Sequence, residues 1–206
     1  MYRRLFVLLC AAVALVVFAT PAAAATGYSL FGDAHRVHPG NNSHTAIQLH
    51  SVGTDFGGIN FDVPSGLTFG QVQNLATDYN FKTGSCGGGA PRFQINVTTP
   101  SGSSANVFVY IGPPPNYTAC PPDVWLNTTN LMAPANLIDT TQLGGPFYDP
   151  VALAQTTYGT YPVTGIQLVT DGGWAQVGGN TQVVLVDNVQ INDQTFTFEG
   201  HDNGND

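Results

Sequence analysis

Short runs of alternating polar and apolar residues, separated by turns rich in glycine and proline, constrain the fold of this chain more than any other feature. Residues 46–50 and 92–97 alternate in this way, as strands with one buried face do. Runs of this kind recur from residue 46 to the end of the chain, and they predict about nine to eleven strands. The only helical signal is at 149–158, where Asp149 and Pro150 can open one or two turns.

The two cysteines that follow the N-terminal region flank a predicted hairpin. Residues 92–97 and 107–111 are its strands, and the serine- and glycine-rich segment 100–104 is its turn. The start of the first strand and the end of the second lie at the same end of a hairpin. Cys86 precedes the first strand and Cys120 follows the second, so we expect a disulfide between them.

Composition agrees with a protein built from sheets. The chain has only one lysine and one glutamate and is rich in glycine, threonine, asparagine and valine, which favours strands joined by tight turns over helices. We see no repeat, linker or shift in composition. The sequence therefore predicts an all-β fold: a two-sheet β-sandwich, jelly-roll-like, with one short helix and one disulfide.

The first residues have the layout of a secretory signal peptide. Arg3 and Arg4 form a short basic region, an apolar run follows at 5–19, and small residues end at Ala25. The apolar run is shorter than the roughly 20 residues that span a bilayer, which disfavours a retained anchor. We expect residues 1–25 to be a cleaved signal peptide and 26–206 to be a single secreted domain.

The charge of the predicted domain excludes some partners. Removing Arg3 and Arg4 from the five basic residues leaves three against thirteen acidic ones, a net charge of −10. Such a surface repels phosphate backbones. We therefore expect no nucleic-acid partner and, after removal of the leader, no insertion into a membrane.

Three segments carry a resemblance to a known group of proteins. They are residues 57–64, the Asp-Gly-Gly-Trp sequence at 171–174, and the Val-Leu-Val-Asp-Asn-Val sequence at 184–189. The chain resembles small secreted bacterial proteins of unassigned function whose fold is similar to jelly-roll carbohydrate-binding modules. The resemblance implies glycan binding and a structural Ca²⁺ held in part by Asp187, although the chain continues past the matching strand into 196–199.

Aromatic residues near the ends of segments are the candidate ligand-binding residues, because the C–H groups of sugars pack on aromatic faces. Each of these residues is also of a type that packs in cores and loops, so the alternative for each is a purely structural role. The candidates are Trp125, Trp174, Tyr79, Tyr117 and Tyr148.

No catalytic or phosphate-binding motif is present in the sequence. The leading hypothesis is a secreted, non-catalytic β-sandwich that binds carbohydrate or another extracellular or cell-surface polymer. One alternative is a secreted protein that binds another protein or has a structural role. A second is a polysaccharide hydrolase or lyase whose carboxylates meet only in space, with Glu199 the one glutamate available.

Overall fold

The computed structural model describes residues 27–87, 90–112, 118–171 and 181–199. In these ranges the regular elements are β1 (Tyr28–Gly32), β2 (Ala34–Val37), β3 (Ala46–Val52), β4 (Gly57–Phe61), β5 (Leu75–Thr83), β6 (Arg92–Thr98), β7 (Ser104–Tyr110), β8 (Leu126–Asn127), β9 (Leu137–Ile138), β10 (Asp149–Pro150), α1 (Val151–Tyr158), β11 (Val163–Val169), β12 (Thr181–Ile191) and β13 (Gln194–Phe196). Two short 3₁₀ turns lie at Phe69–Gln71 and Thr141–Leu143.

The strands form two main antiparallel sheets. The first sheet has the order β1-β4-β11-β6-β7. The second has the order β2-β3-β12-β5-β8, and β13 pairs with β12. The late strands β11 and β12 each return to the middle of a sheet, β11 between β4 and β6 and β12 between β3 and β5. This order is that of a jelly-roll sandwich.

One hydrophobic core lies between the two sheets. Alternation along β6 turns Phe93, Ile95 and Val97 inward, and all three are fully buried. Phe69 and Phe81 are the other large aromatic side chains with no exposed surface. Strand side chains alternate between the two faces of a sheet, so the residues between these inward positions form the outer faces of the sandwich.

The predicted disulfide is present. The Sγ atoms of Cys86 and Cys120 are bonded, their Cα atoms are 5.4 Å apart, and both residues are buried. The bond joins the segment that enters β6 to the segment that follows β7, as the hairpin predicted. The helix is also where it was expected, because Pro150 stands directly before α1 and its fixed φ suits a helix start.

The structure adds strands that the sequence did not indicate, namely β1, β2, β9 and β10. The predicted signal peptide lies outside the described residues. In the four described ranges no helix is long and apolar enough to cross a membrane.

Candidate functional site

A row of side-chain amides crosses the outer face of the first sheet. The cross-strand register places Asn60 of β4 beside Gln167 of β11, and Gln167 beside Gln94 of β6. Gln94 Nε2 donates a hydrogen bond to Gln167 Oε1 at 3.0 Å, and Gln167 Nε2 donates to Asn60 Oδ1 at 2.6 Å. We call these three residues the amide ladder. They are half-buried, so their polar edges face outward.

The two ends of the amide ladder keep free hydrogen-bonding groups. In the described part of the chain Asn60 Nδ2, a donor, and Gln94 Oε1, an acceptor, have no partner. A parallel row contains Asn96, whose Nδ2 donates to Asn106 Oδ1 at 2.7 Å. The amide ladder thus offers both donors and acceptors without a formal charge of its own, which suits the hydroxyl groups of a neutral ligand.

A groove with a volume of about 700 Å³ runs along this face. Asn60, Gln167 and Asn96 line it, together with Gly165. The register between β6 and β11 shifts between Val163 and Gly165. Because Gly165 has no side chain, the groove stays open at this position. A Cβ atom at Gly165 would lie 3.4 Å from Asn96 Oδ1, so a side chain there would fill the groove at ordinary contact distance.

Aromatic rings stand at the β7 edge of the same face. Tyr110, on the outward side of β7, stacks on Phe147 with ring centroids 5.6 Å apart, and Phe147 meets Tyr148 edge to face at 4.8 Å. We call these three residues the aromatic cluster. Phe147 and Tyr148 are 41% and 43% exposed, whereas the Tyr110 hydroxyl donates to Asp139 Oδ2 at 2.8 Å. The cluster therefore has one fixed ring and two accessible ones.

Phe31 and Phe56 form a second aromatic pair at the opposite, β1 edge. Their ring centroids are 6.2 Å apart, and Phe56 is exposed. The cross-strand pairs that start at Phe31 continue over β4, β11 and β6 to Arg92 and then to Tyr110, so Phe31 and Tyr110 lie in one row across the sheet. Five strands at the usual spacing put the two edges about 19 Å apart. The face is thus bordered by aromatic rings. Gly58, Val169 and Arg92 lie between them, and the amide ladder crosses the sheet two residues further along the strands.

The outer side of the second sheet carries a different group, two adjacent carboxylates. Asp187 of β12 is paired in register with Asp78 of β5, and both are buried. Asp187 Oδ2 accepts from the Asn41 N–H at 2.8 Å and from Ser43 Oγ, and its Oδ1 accepts from the Asn188 N–H at 2.7 Å. These bonds tie the loop before β3 to the centre of the sheet.

Asp78 is satisfied by amide side chains. Its Oδ2 accepts from Asn41 Nδ2 at 2.9 Å and Asn188 Nδ2 at 2.7 Å, and its Oδ1 accepts from Asn127 Nδ2 at 2.7 Å. Because hydrogen-bond donors already face both carboxylates, a Ca²⁺ ion here would have to displace them. The calcium role of Asp187 stays a prediction of the resemblance.

Burial raises the pKa of Asp187, and the neighbouring charge of Asp78 adds to the rise, while the hydrogen bonds from Ser43, Asn41 and Asn188 oppose it. A raised pKa in the folded state means that folding favours the protonated carboxyl. The free energy of unfolding therefore falls as pH rises from the ordinary value of 3.8 through the raised value. Below that pH range the free energy of unfolding is not lowered by this carboxyl group, and above it the full loss of stability applies.

We expect Asp187→Asn to gain stability relative to the unchanged protein as pH rises from about 3 to about 7. The amide removes the titration, whereas its effect on the local hydrogen bonds is the same at every pH. Urea unfolding of both proteins at a series of pH values measures the difference, and Asp55→Asn, at an exposed position, is the control for loss of one charge. A difference that is constant with pH would contradict the prediction.

The structure separates the aromatic candidates named from the sequence. Tyr148 belongs to the exposed aromatic cluster, while Tyr79 is 7% exposed and packs against Phe81 in the core. Trp125 is half-buried directly before β8, and extending the β5–β8 register by one residue places it opposite Asn80. Trp174 and Tyr117 lie outside the described residues.

Asn80 is a further polar residue on the second sheet with unmet hydrogen-bonding capacity. It is 6% exposed, and its Oδ1 is buried without a partner.

Two of the histidines contact other protein groups through a ring nitrogen: His50 Nδ1 bonds to Asp33, and His38 Nδ1 lies 2.6 Å from the His44 carbonyl oxygen. Over the residues described, no group of three or more His, Cys, Asp or Glu side chains is placed to hold a metal ion.

Sequence reasoning did not single out the amide ladder or two members of the aromatic cluster, Tyr110 and Phe147. A signal for Gln94 was present, because alternation along 92–97 marks it as an outward position. Its partnership with Gln167, 73 residues away, depends on strand order and register, which alternation does not encode.

Comparisons of the chain with protein-family models, with curated proteins and with solved structures found no match. The fold and the geometry therefore define the class of protein: an all-β, disulfide-linked, two-sheet sandwich. Its first sheet presents a polar groove bordered by aromatic rings.

Proposed function

We propose that the protein is a secreted, non-catalytic binder of a neutral glycan or another uncharged extracellular or cell-surface polymer. The outer face of the first sheet is its binding surface. The observation that carries the proposal is the amide ladder, of which Asn60 and Gln167 line the groove, on a face bordered at both edges by exposed aromatic rings. Such surfaces combine apolar contact area with a few oriented polar groups, as ligand sites generally do.

The chemistry of the face favours a neutral ligand. Among the described residues that line the groove, Asp62 is the only charged one, and the predicted domain carries a net charge of −10. An anionic polymer would be repelled by the protein as a whole, and a cationic one would find a single carboxylate. Hydroxyl groups, in contrast, can use both the free Asn60 Nδ2 donor and the free Gln94 Oε1 acceptor.

The shape of the face favours an extended ligand over a compact one. The amide ladder crosses three adjacent strands. The aromatic cluster and the Phe31–Phe56 pair stand at the two edges of the sheet, about 19 Å apart. A polymer segment lying across the strands would meet rings at both ends, with the amide ladder alongside it, two residues further along the strands. The resemblance to carbohydrate-binding modules supports the same conclusion.

Export is the second part of the proposal. The first 25 residues have the layout of a signal peptide, and a disulfide is stable in oxidising compartments. The Cys86–Cys120 bond supports an extracellular location for this reason.

Catalysis is the alternative against which the proposal must be tested. Glu199, the one glutamate of the chain, accepts hydrogen bonds at Oε1 from the backbone N–H groups of His44 and Thr45. It therefore holds the segment before β3, which gives it a structural task.

A pull-down on cellulose, chitin, xylan and peptidoglycan, with released sugar assayed in the supernatant, tests the proposal. We expect one of these polymers to retain the protein without releasing sugar. Tyr148→Ala is expected to weaken that retention about tenfold, the effect of losing one well-packed aromatic contact. Gly165→Leu is expected to weaken it by filling the groove while leaving the amide ladder in place.

Gln167→Ala and Gln48→Ala form a matched pair for this experiment. Both remove a half-buried glutamine that hydrogen-bonds on the outer face of a sheet, but Gln48 is on β3 of the second sheet, where it bonds to His35. Only Gln167→Ala should reduce retention. Equal losses for the pair, or a loss only in Trp125→Ala, would contradict the proposed face. Release of sugar would indicate an enzyme, and no retention by any polymer would favour a protein partner.

A further inference from the structure

A second groove opens at the side of the sandwich between β7 and β8, next to the aromatic cluster. Its volume is about 400 Å³, within the range of small-molecule sites, about 300–1,000 Å³. Val109 of β7 and Leu126 of β8 line it together with Leu131, and Tyr79 of β5 contributes to its wall. The groove thus combines apolar side chains with polar ones and has a phenol in its wall.

The Tyr79 hydroxyl is the unusual feature of this groove. Tyr79 is 7% exposed, yet its hydroxyl has no hydrogen bond with any part of the described chain. The other tyrosine in the lining, Tyr110, donates to Asp139. The hydroxyl is not one of the fully enclosed polar atoms that lack a partner, so it is open to the groove. A ligand in the groove can therefore supply the acceptor that the fold does not.

Most polar side chains at the rim are already engaged. Asn127 Nδ2 donates to Asp78, Thr128 Oγ1 donates to the Thr129 carbonyl oxygen, and Asn136 Nδ2 donates to the Asn130 carbonyl oxygen. Among the described residues that line the groove, none is charged, and the hydroxyl groups of Tyr79 and Thr129 make no hydrogen bond. These residues therefore offer a ligand hydroxyl donors and no counter-ion, which favours a neutral ligand.

We propose that this groove binds a neutral small molecule with an apolar body and a carbonyl or ether oxygen that accepts a hydrogen bond from the Tyr79 hydroxyl. The leucine and valine side chains cover the apolar body, and Tyr79 fixes its orientation. Burial also raises the pKa of Tyr79, so the phenol remains a donor over the whole neutral range. The site shares Tyr110 with the aromatic cluster of the first sheet, but Tyr79, on which the proposal rests, belongs to the second sheet.

Acetophenone and ethylbenzene are suitable probes, because they have similar shapes and only the ketone carries an acceptor. Titration of the purified protein with each, followed by the amide NMR shifts of Leu126 and Leu131, measures binding in the groove. We expect acetophenone to bind more tightly than ethylbenzene. We expect Tyr79→Phe to weaken acetophenone binding about 3- to 10-fold, the effect of one neutral hydrogen bond, and to leave ethylbenzene binding unchanged.

Two controls make the test specific. Tyr161→Phe removes a hydroxyl outside this groove and should leave binding of both probes unchanged. Tyr79→Phe should unfold at the same temperature as the unchanged protein or a higher one, because it removes a donor that has no partner in the fold. Absence of acetophenone shifts at the groove, or equal affinity of Tyr79→Phe and the unchanged protein for acetophenone, would overturn the proposal.

Discussion

Replacing Cys86 and Cys120 together by alanine is expected to lower the free energy of unfolding by about 3–4 kcal/mol. The bond joins residues 34 positions apart, so it removes many conformations from the unfolded chain. The segment that it closes contains the whole β6–β7 hairpin, which forms one edge of the first sheet. Loss of the disulfide should therefore destabilise the face that we propose as the binding surface.

Denaturant unfolding of the double variant and the unchanged protein, with and without dithiothreitol, measures this effect. Reduction should bring the unchanged protein to about the stability of the double variant and should leave the variant unaffected. A loss of less than about 1 kcal/mol would contradict the prediction. It would mean that residual structure already restricts the unfolded chain when the disulfide is absent.

Replacing Asp78 by alanine is expected to cost about 2–4 kcal/mol. The carboxylate accepts hydrogen bonds from the amides of Asn41, Asn127 and Asn188, which belong to three separate segments of the chain. Its removal leaves three donors without this acceptor in a part-buried environment. The loss of like-charge repulsion with Asp187 offsets part of the cost.

Asp78→Asn separates these two contributions, since it keeps one acceptor oxygen and removes the charge. We expect it to be destabilised less than Asp78→Ala when both are measured by urea unfolding at neutral pH. Asp55→Ala, at an exposed position, should change stability by no more than about 0.5 kcal/mol. An Asp78→Ala variant as stable as Asp55→Ala would show that water replaces the lost acceptor.

Much of the fold could be predicted from local sequence patterns. Alternation identified β3 and β6, and the position of two cysteines around one hairpin identified the disulfide. The edge strands β1 and β2 were missed because residues 28–37 do not alternate regularly. Strands β9 and β10 have two residues each, and they exist because Asp149 meets Ile138 across the fold, which no local pattern can encode.

The candidate site was less accessible to sequence reasoning, because it is created by strand order. Gln94 and Gln167 become neighbours only when β11 inserts between β4 and β6. The aromatic candidates were chosen by type, and type does not separate exposed Tyr148 from buried Tyr79. Phe147 lies in a loop, and its stacking on Tyr110 depends on how that loop returns to β7.

The most direct test of the central claim is to map the binding surface with a soluble oligosaccharide derived from the polymer that retains the protein. Its titration into isotope-labelled protein should shift the side-chain amide signals of Asn60, Gln94 and Gln167 and the ring signals of Tyr148. The side-chain amide of Gln48 on the second sheet should not move. Shifts confined to the second sheet, around Trp125 and Asn80, would contradict the proposed binding face.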